Sequence, residues 1–313
     1  MWVMSLALLF PFSFAAETVG LSQDGERYAI KLFRPAKPGD RMEVKKTAFE
    51  RSEVTGKVDG AVTKEQASEW KIECEFLEEI LETNEQGEAT QRSVLLKSCK
   101  QTENGRRTAE ITFDKPILIQ SYTDRDPEFS ADGRRLNRSL QRVMSRMYSD
   151  LVGGPIDDDF YGTNSEVRVG EKWHINRQAY AKARQTSDGV SNKNVDGYGQ
   201  VKRVMGEGAE KCYEVQIDVT YEPAVHPLSE GFEVTSCKQS IRIIRQCPID
   251  PDRVLPVSKI IREGWTINRA LGPNDGPVIV VVHYGRGELT VERKAVLEDG
   301  DRKKDMPQGE DGI

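Results

Sequence analysis

Histidine is scarce in this chain. Of 313 residues only His174, His226 and His283 carry an imidazole. No two of them stand at a metal-ligand spacing such as the i, i+4 pair of H-E-x-x-H. There is no Cys-x-x-C, and no Cys lies close to a His in a ligand spacing, which disfavours zinc. A G-x-S-x-G elbow is absent, as are a phosphate-cradling Gly loop and a dinucleotide fingerprint. Asp157, Asp159 and Gly162 match three positions of a calcium loop. Tyr161 and Arg168 occupy two others and defeat bidentate closure, so the segment reads as a polar loop. Positive charge is not in surplus either. Lys and Arg number 45 against 51 Asp and Glu, a net charge of −6, and backbone binding to nucleic acid requires the opposite balance. Neither metal, cofactor nor nucleic acid is expected.

Long apolar runs are equally rare. Trp2 to Phe14 is one, too short to span a bilayer comfortably, since a spanning helix needs about 20 apolar residues. Ser13-Phe14-Ala15 then supplies small residues at the −3 and −1 positions of a cleavage site. Residues 1–15 therefore read as a signal peptide, although it lacks the usual Lys or Arg near Met1. The expected product is exported, periplasmic or extracellular, and not transmembrane after cleavage. Export sets the reading of Cys74, Cys99, Cys212, Cys237 and Cys247 as candidates for disulfides in an oxidising compartment.

What the chain does contain is an echo of itself. Gly39-Asp40-Arg41-Met42-Glu43-Val44 returns as Gly170-Glu171-Lys172-Trp173-His174-Ile175, and Val58-Asp59-Gly60 as Val195-Asp196-Gly197. Cys74 and Cys212 follow, and Ser98-Cys99-Lys100-Gln101 returns as Ser236-Cys237-Lys238-Gln239. The common order predicts an internal duplication. The expected organisation is a first β-unit over 16–131, a connecting helix over 132–153, a second β-unit over 154–299 and a disordered tail over 300–313.

Strict alternation predicts strands in both copies. Trp70, Ile72, Cys74 and Phe76 alternate with charged residues, and Tyr213, Val215, Ile217, Val219 and Tyr221 with polar ones. Each Cys pair then spans an antiparallel hairpin. With Cys212 opposite Cys237, Val215 faces Val234 and Ile217 faces Phe232, as one buried face requires. With Cys74 opposite Cys99, Glu73 faces Lys100 and Leu77 faces Leu96, but Phe76 falls against Lys97. Directly opposed strand residues lie within disulfide reach. The pairs Cys74–Cys99 and Cys212–Cys237 are predicted, with Cys247 free. Later strands are expected over 277–283 and 288–298, flanking Tyr284-Gly285-Arg286-Gly287 as a hairpin turn. The run Val278 to Val282 predicts a strand covered on both faces.

Leu136, Leu140, Val143, Met144, Met147 and Leu151 share one arc at helical spacing, with Asp132 as N-cap and Gly153 as C′ stop. Arg135, Arg138, Arg142 and Arg146 form a stripe on the opposite side. As a function the stripe would grip an anionic envelope component; as plain structure it is a solvated face.

The lysine-rich Pro-Gly-Asp turn (Lys37 to Arg41), the helix and the Val169-Gly170-Glu171-Lys172-Trp173 opening resemble uncharacterised exported bacterial proteins. In these, two β-rich halves are joined by a helix and the second half opens with a Val-Gly-Asp-x-Trp-type motif; here the Asp is Glu171. That resemblance implies no activity and no site residue. The fold expected is mainly β, two related antiparallel units with one amphipathic helix between them. The function expected is non-catalytic binding of an apolar ligand or an envelope partner, in a groove lined by residues such as Met144 and Met147. The alternatives are a secreted hydrolase of polysaccharide or ester substrates and a structural envelope component pairing through sheet edges.

Overall fold

A computed structural model describes residues 25–148, 152, 155–188, 190–223, 233–271 and 278–296. The expected signal peptide and tail, His226, Phe232 and the Gly153 stop lie outside them. Seven strands come first: β1 (Arg41–Val58), β2 (Ala61–Thr83), β3 (Ala89–Glu103), β4 (Arg106–Glu110), β5 (Ile117–Gln120), β6 (Glu128–Ala131) and β7 (Arg134–Arg135). Helices α1 (Arg138–Met147) and α2 (Asp157–Tyr161) follow. Then come β8 (Lys172–His174), α3 (Arg177–Asp188), β9 (Val195–Met205), β10 (Cys212–Tyr221), β11 (Glu233–Pro248), β12 (Val257–Leu271) and β13 (Val278–Ala295). No helix among the described residues is long and apolar enough to cross a membrane.

The protein is mainly β. All its strands join one antiparallel sheet in the order β7-β6-β5-β3-β2-β1-β13-β12-β11-β10-β9-β8, with β4 paired to β3 off that path. The first and last strands meet at the centre, in register from Met42↔Ala295 to Val58↔Ile279. Because β7 and β8 lie at opposite edges, the chain between them must cross a face of the sheet, and α1 packs there. Residues 25–36 make a second crossing. Tyr28 exchanges backbone hydrogen bonds with Val167, and Ala36 N–H donates to Gly87 O.

Antiparallel partners share a face. The row Ile72, Ala48, Leu289, Ile260, Ile243, Ile217 therefore runs along one side of β2, β1, β13, β12, β11 and β10. Both cores sit on that side. The first joins Ile72, Phe76, Val94 and Ile119 to Leu140, Val143, Met144 and Met147 of α1. The second joins Val215, Ile217, Val219 and Ile243 to Ile30, Leu32, Trp173 and Tyr180. The outer side is charged and paired, as in Lys97–Glu43 and Lys71–Glu73. This is where much of the chain's charge goes.

The first cysteine pair is bonded. Cys74 faces Cys99 in the β2–β3 ladder and the two form a disulfide. A register shift between Glu75 and Phe76 then sets Phe76 against Leu96 and Leu77 against Leu95. This bulge spares Phe76 the clash with Lys97 that a regular ladder imposes. The second expected disulfide is not formed: Cys212, Cys237 and Cys247 are free thiols. Cys212 faces Pro248, Tyr213 faces Cys247, and Cys237 lies beyond the end of β10 opposite Thr266. Apolar still meets apolar, as Ile217 meets Ile243 and Val219 meets Ile241. Alternation alone is satisfied by either register. Residues 222–232 separate β10 from β11, too many for the two-residue turn that would select one register.

Three further expectations are corrected. Tyr284-Gly285-Arg286-Gly287 is not a turn but the middle of β13, which runs unbroken between two neighbours. Val278 to Val282 are each half-buried rather than covered on both faces. The N-cap of α1 is Asn137, whose side chain accepts from Leu140 N–H at 2.9 Å. Asp132 and Gly133, both at positive φ, instead turn the chain from β6 to β7.

Of the repeated landmarks, the first recurs in detail. In Lys37–Asp40 and Arg168–Glu171 the last N–H donates to the first C=O, at 3.0 and 3.1 Å. In each, the acid accepts from the first N–H, and the Gly has φ near +90° and +85°. Only glycine takes that conformation without strain. The second landmark does not recur. Asp59-Gly60 turns β1 into β2, whereas Asp196-Gly197 lies inside β9.

Candidate functional site

Neither crossing segment covers the middle of the sheet. There the covered face holds a cavity of about 510 Å³ on β1, β13 and β12, with Ser145 and Arg146 of α1 as one wall. Ladder partners fix its floor. One row across the strands reads Ser52, Gly285, Gly264, Gln239, and the next reads Trp70, Glu50, Gly287, Arg262, Ile241. Ala48, Leu289 and Ile260 close the end nearer the cores.

The glycines make the floor low. A Cβ on Gly285 would meet nothing within 4 Å, and one on Gly287 would only reach Phe49 O at 4.0 Å. Gly264 is different. A Cβ there would lie 2.2 Å from the side-chain oxygen of Gln239, so the Gln239 amide rests on bare backbone. Two glycines spaced i, i+2 in a strand open the same face. Toward the sheet tip the same face carries Val54, Gly56 and Val58 on β1 and His283, Val281 and Ile279 on β13, all half-buried, with Asn268 of β12 fully buried beside Val281.

Polar groups stand on both walls. Arg146 stacks on Trp70, 3.9 Å from the ring centroid. Burial makes its guanidinium less readily charged, and Glu50 opposes that effect. Arg262, on the far wall, is exposed and has no hydrogen bond or ion pair among the described residues. Thr266 Oγ1 lies 3.3 Å from Cys237 Sγ at the trough edge, both buried. Ser52, Glu50 and His283 face the same trough, but no hydrogen bond joins them among the described residues.

Elsewhere the buried charges are engaged structurally. Glu78 accepts from the Tyr148 hydroxyl at 2.9 Å and lies 3.7 Å from Arg92. Lys46 Nζ sits 3.2 Å from the Tyr148 ring centroid and donates to Met147 O. Burial alone would raise the Glu78 carboxyl. Arg92, Lys46, Arg293 and the Tyr148 bond together hold it below its ordinary value. In the second core Arg245 pairs with Asp157 and donates to Leu32 O at 3.0 Å. Asp158 accepts from the Leu32 and Phe33 N–H groups, and Asp159 from Ile156 N–H. The carboxylates of the would-be calcium loop thus fasten residues 25–36 and start α2.

The arginine stripe is only partly a stripe. Arg138 and Arg142 are exposed on α1, Arg135 belongs to β7, and Arg146 turns in toward Trp70. Met144 and Met147, expected to line a groove, are 0% and 2% exposed inside the first core. The residues that line the trough were missed, because Gly285 and Gly287 read as turn formers. Their i, i+2 spacing between two apolar strand segments was the available signal.

No family model matches the chain, and no curated protein matches it. Among solved structures it is similar to the chain titled "lipid-protein interactions in lipovitellin", at 10% identity and TM-score 0.36 over 84% of this chain and 26% of that one. It thus spans about a quarter of that protein. It is also similar to Pseudomonas aeruginosa OccK7 (OpdD), at 8% identity and TM-score 0.21 over 82% of this chain and 100% of that one. At these TM-scores neither likeness carries an argument about fold or function.

Proposed function

We propose that this is an exported, non-catalytic binding protein that holds a ligand with an apolar body in the trough between its two cores. One observation carries the reading: between the two cores on the covered face, the strands present the glycines Gly285, Gly287 and Gly264 in adjacent rows. A glycine in a central strand gives up packing, and it is kept where something else approaches the backbone closely. The volume falls inside the range of about 300–1,000 Å³ usual for small-molecule sites. The lining is mixed: glycines form the floor, polar groups such as Glu50, Arg146, Gln239 and Arg262 stand around them, and Ala48, Ile260 and Leu289 close one end. Export rests on the N-terminal apolar run and is supported by the Cys74–Cys99 disulfide. We also read the matching turns at Lys37–Asp40 and Arg168–Glu171 as a trace of duplication, with α1 in the connection between the halves.

The hydrolase reading gains little, since Ser52, Glu50 and His283 are not linked as a relay. The edge-pairing reading gains little at the two ends of the sheet, where β7 and β8 span only Arg134–Arg135 and Lys172–His174. The test is native mass spectrometry of protein purified from its own envelope, beside a Gly285→Leu variant. A small molecule that co-purifies with the parent and is absent from the variant is the expected result. Recovery of bare protein in both would count against the reading.

A further inference from the structure

We infer that the outer side of the sheet carries a dimer interface, in which the β12–β13 seam packs face to face on the same seam of a second copy of this chain. The surface lies on the other side of the sheet from the trough and does not depend on it.

The argument starts from a run that lacks a cover. Strand alternation puts Ile279 and Val281 on the covered side, and Val278, Val280 and Val282 on the outer side. A continuous apolar run calls for burial on both faces, yet each of these residues is only half-buried. Beside them on the outer side stand Trp265 and Ile267 of β12 and Tyr284 of β13. Trp265 faces Tyr284, and Ile267 faces Val282. Trp265 is 36% exposed, and none of these side chains belongs to either core. Elsewhere the outer side carries ion pairs such as Arg242–Asp218 and Lys259–Glu288. Aromatic and aliphatic side chains grouped on an uncovered sheet face mark a contact surface.

The occupant follows from the register. Across β1, β13, β12 and β11, one outer row reads Glu53, Tyr284, Trp265, Lys238. The rows on either side read Arg51, Arg286, Glu263, Ser240 and Thr55, Val282, Ile267, Ser236. A two-fold axis laid along the strands over the seam turns each row end for end onto itself. Tyr284 then meets the partner's Trp265, and Val282 the partner's Ile267. Arg286 meets the partner's Glu263, and Glu53 the partner's Lys238. Apolar falls on apolar and acid on base in every row. Lys238 is exposed and has no ion pair among the described residues. Within one chain three strand spacings, about 14 Å, separate it from Glu53, so only a second copy brings the two together. Sheets stacked with aligned strands lie about 10 Å apart, a gap that large side chains in the middle of each row fill. The patch spans about 19 Å across the strands and about 20 Å from Arg286 to Val280. That is small beside the ~800 Å² per partner of a standard interface, so the dimer should dissociate in the micromolar range.

Sedimentation equilibrium of the full chain between about 1 and 100 μM reads this association directly. A reversible monomer–dimer equilibrium is expected. Trp265→Glu should weaken it about a hundredfold, the effect of a charge in the middle of the contact. Lys238→Glu should weaken it about tenfold, because both symmetry-related pairs become repulsive. Adding Glu53→Lys to Lys238→Glu should return the dissociation constant to within about threefold of the parent. Lys238 is exposed and Glu53 only half-buried, so these two variants keep the fold, which far-UV circular dichroism checks. A parent that stays monomeric, or a Trp265→Glu variant that dimerises like the parent, would overturn the interface. A monomeric parent that instead sediments with phosphatidylglycerol vesicles would assign the patch to a membrane surface. A charge-exchanged double variant no better than Lys238→Glu alone would overturn the two-fold pairing.

Discussion

The two cores share one face of one sheet and differ in how that face is closed. Over β2, β3 and β5 the cover is α1, fastened where Lys46 donates to Met147 O and Tyr148 to Glu78. Over β9, β10 and β11 it is residues 25–36 with α2 and α3, fastened where Arg245 donates to Leu32 O and Asp158 accepts from Leu32 N–H. The first fastening has one carboxylate among several cations, its side chain 7% exposed. The second has one buried guanidinium and a carboxylate, Asp157, that is 34% exposed. A buried charge costs stability unless paired, and breaking such a pair is worse than never having built it. The comparison teaches that the sheet does not close itself. Each cover is pinned by its own directional polar contact, and the trough is the ground between two covers that stop short of each other.

The largest expected effect falls on the first fastening. Glu78→Leu removes the carboxylate that faces Arg92 and Arg293 and accepts from Tyr148, and it should cost about 3–5 kcal/mol in denaturant unfolding. Asp157→Asn should cost clearly less, since water already screens that partner. Acid should separate the two halves in the same sense. The Glu78 carboxyl is held low in the folded state, so its contribution is complete above the unfolded value of about 4.3 and is lost as pH falls through the folded value. Hydrogen exchange in α1 should then rise before exchange in β10. Equal sensitivity of the two cores would mean that the covers are not pinned independently.

Next comes the disulfide, which only the first half carries. Cys74 and Cys99 are 25 residues apart, and chain-entropy arguments put such a bridge at roughly 2–4 kcal/mol. Cys74→Ala with Cys99→Ala should lower the unfolding free energy by that amount, whereas Cys212→Ser should hardly change it. The second half's thiols should differ in reactivity. Burial pushes Cys247 up to about 12 and also raises the half-buried Cys212. Native alkylation at pH 8 should modify Cys212 before Cys247. Modification of Cys247 first would show that the second core opens around β11 faster than Cys212 reacts at its margin.

Much of this was legible in the sequence, and the misses share a cause. Period-2 alternation located the strands around Cys74 and Val215, and setting Cys74 opposite Cys99 gave the β2–β3 register as far as the bulge after Glu75. Between β10 and β11 nothing local did, so a second apolar-to-apolar pairing was equally consistent and the wrong one was chosen. Gly285 and Gly287 were misread for the same reason. Glycine's local preference for turns is real, and here a central position between β1 and β12 overrides it.

The smallest effect tests whether the covers shape the trough. Asn137 caps α1 through Leu140 N–H, and Asn137→Ala should cost about 1 kcal/mol. That loss is too small to unfold the sheet, and it falls on the helix alone. Yet Arg146 sits in the last turn of α1 and stacks on Trp70, so a frayed helix loosens one wall of the trough. Tryptophan emission should shift as Trp70 loses its partner, while exchange in β10 stays at the parent value. An emission shift with an unchanged second core would establish that the trough takes its shape from the first cover. No shift at all would assign the wall to the sheet itself, and the groove would then be a property of the β1–β13 seam rather than of the helix laid beside it.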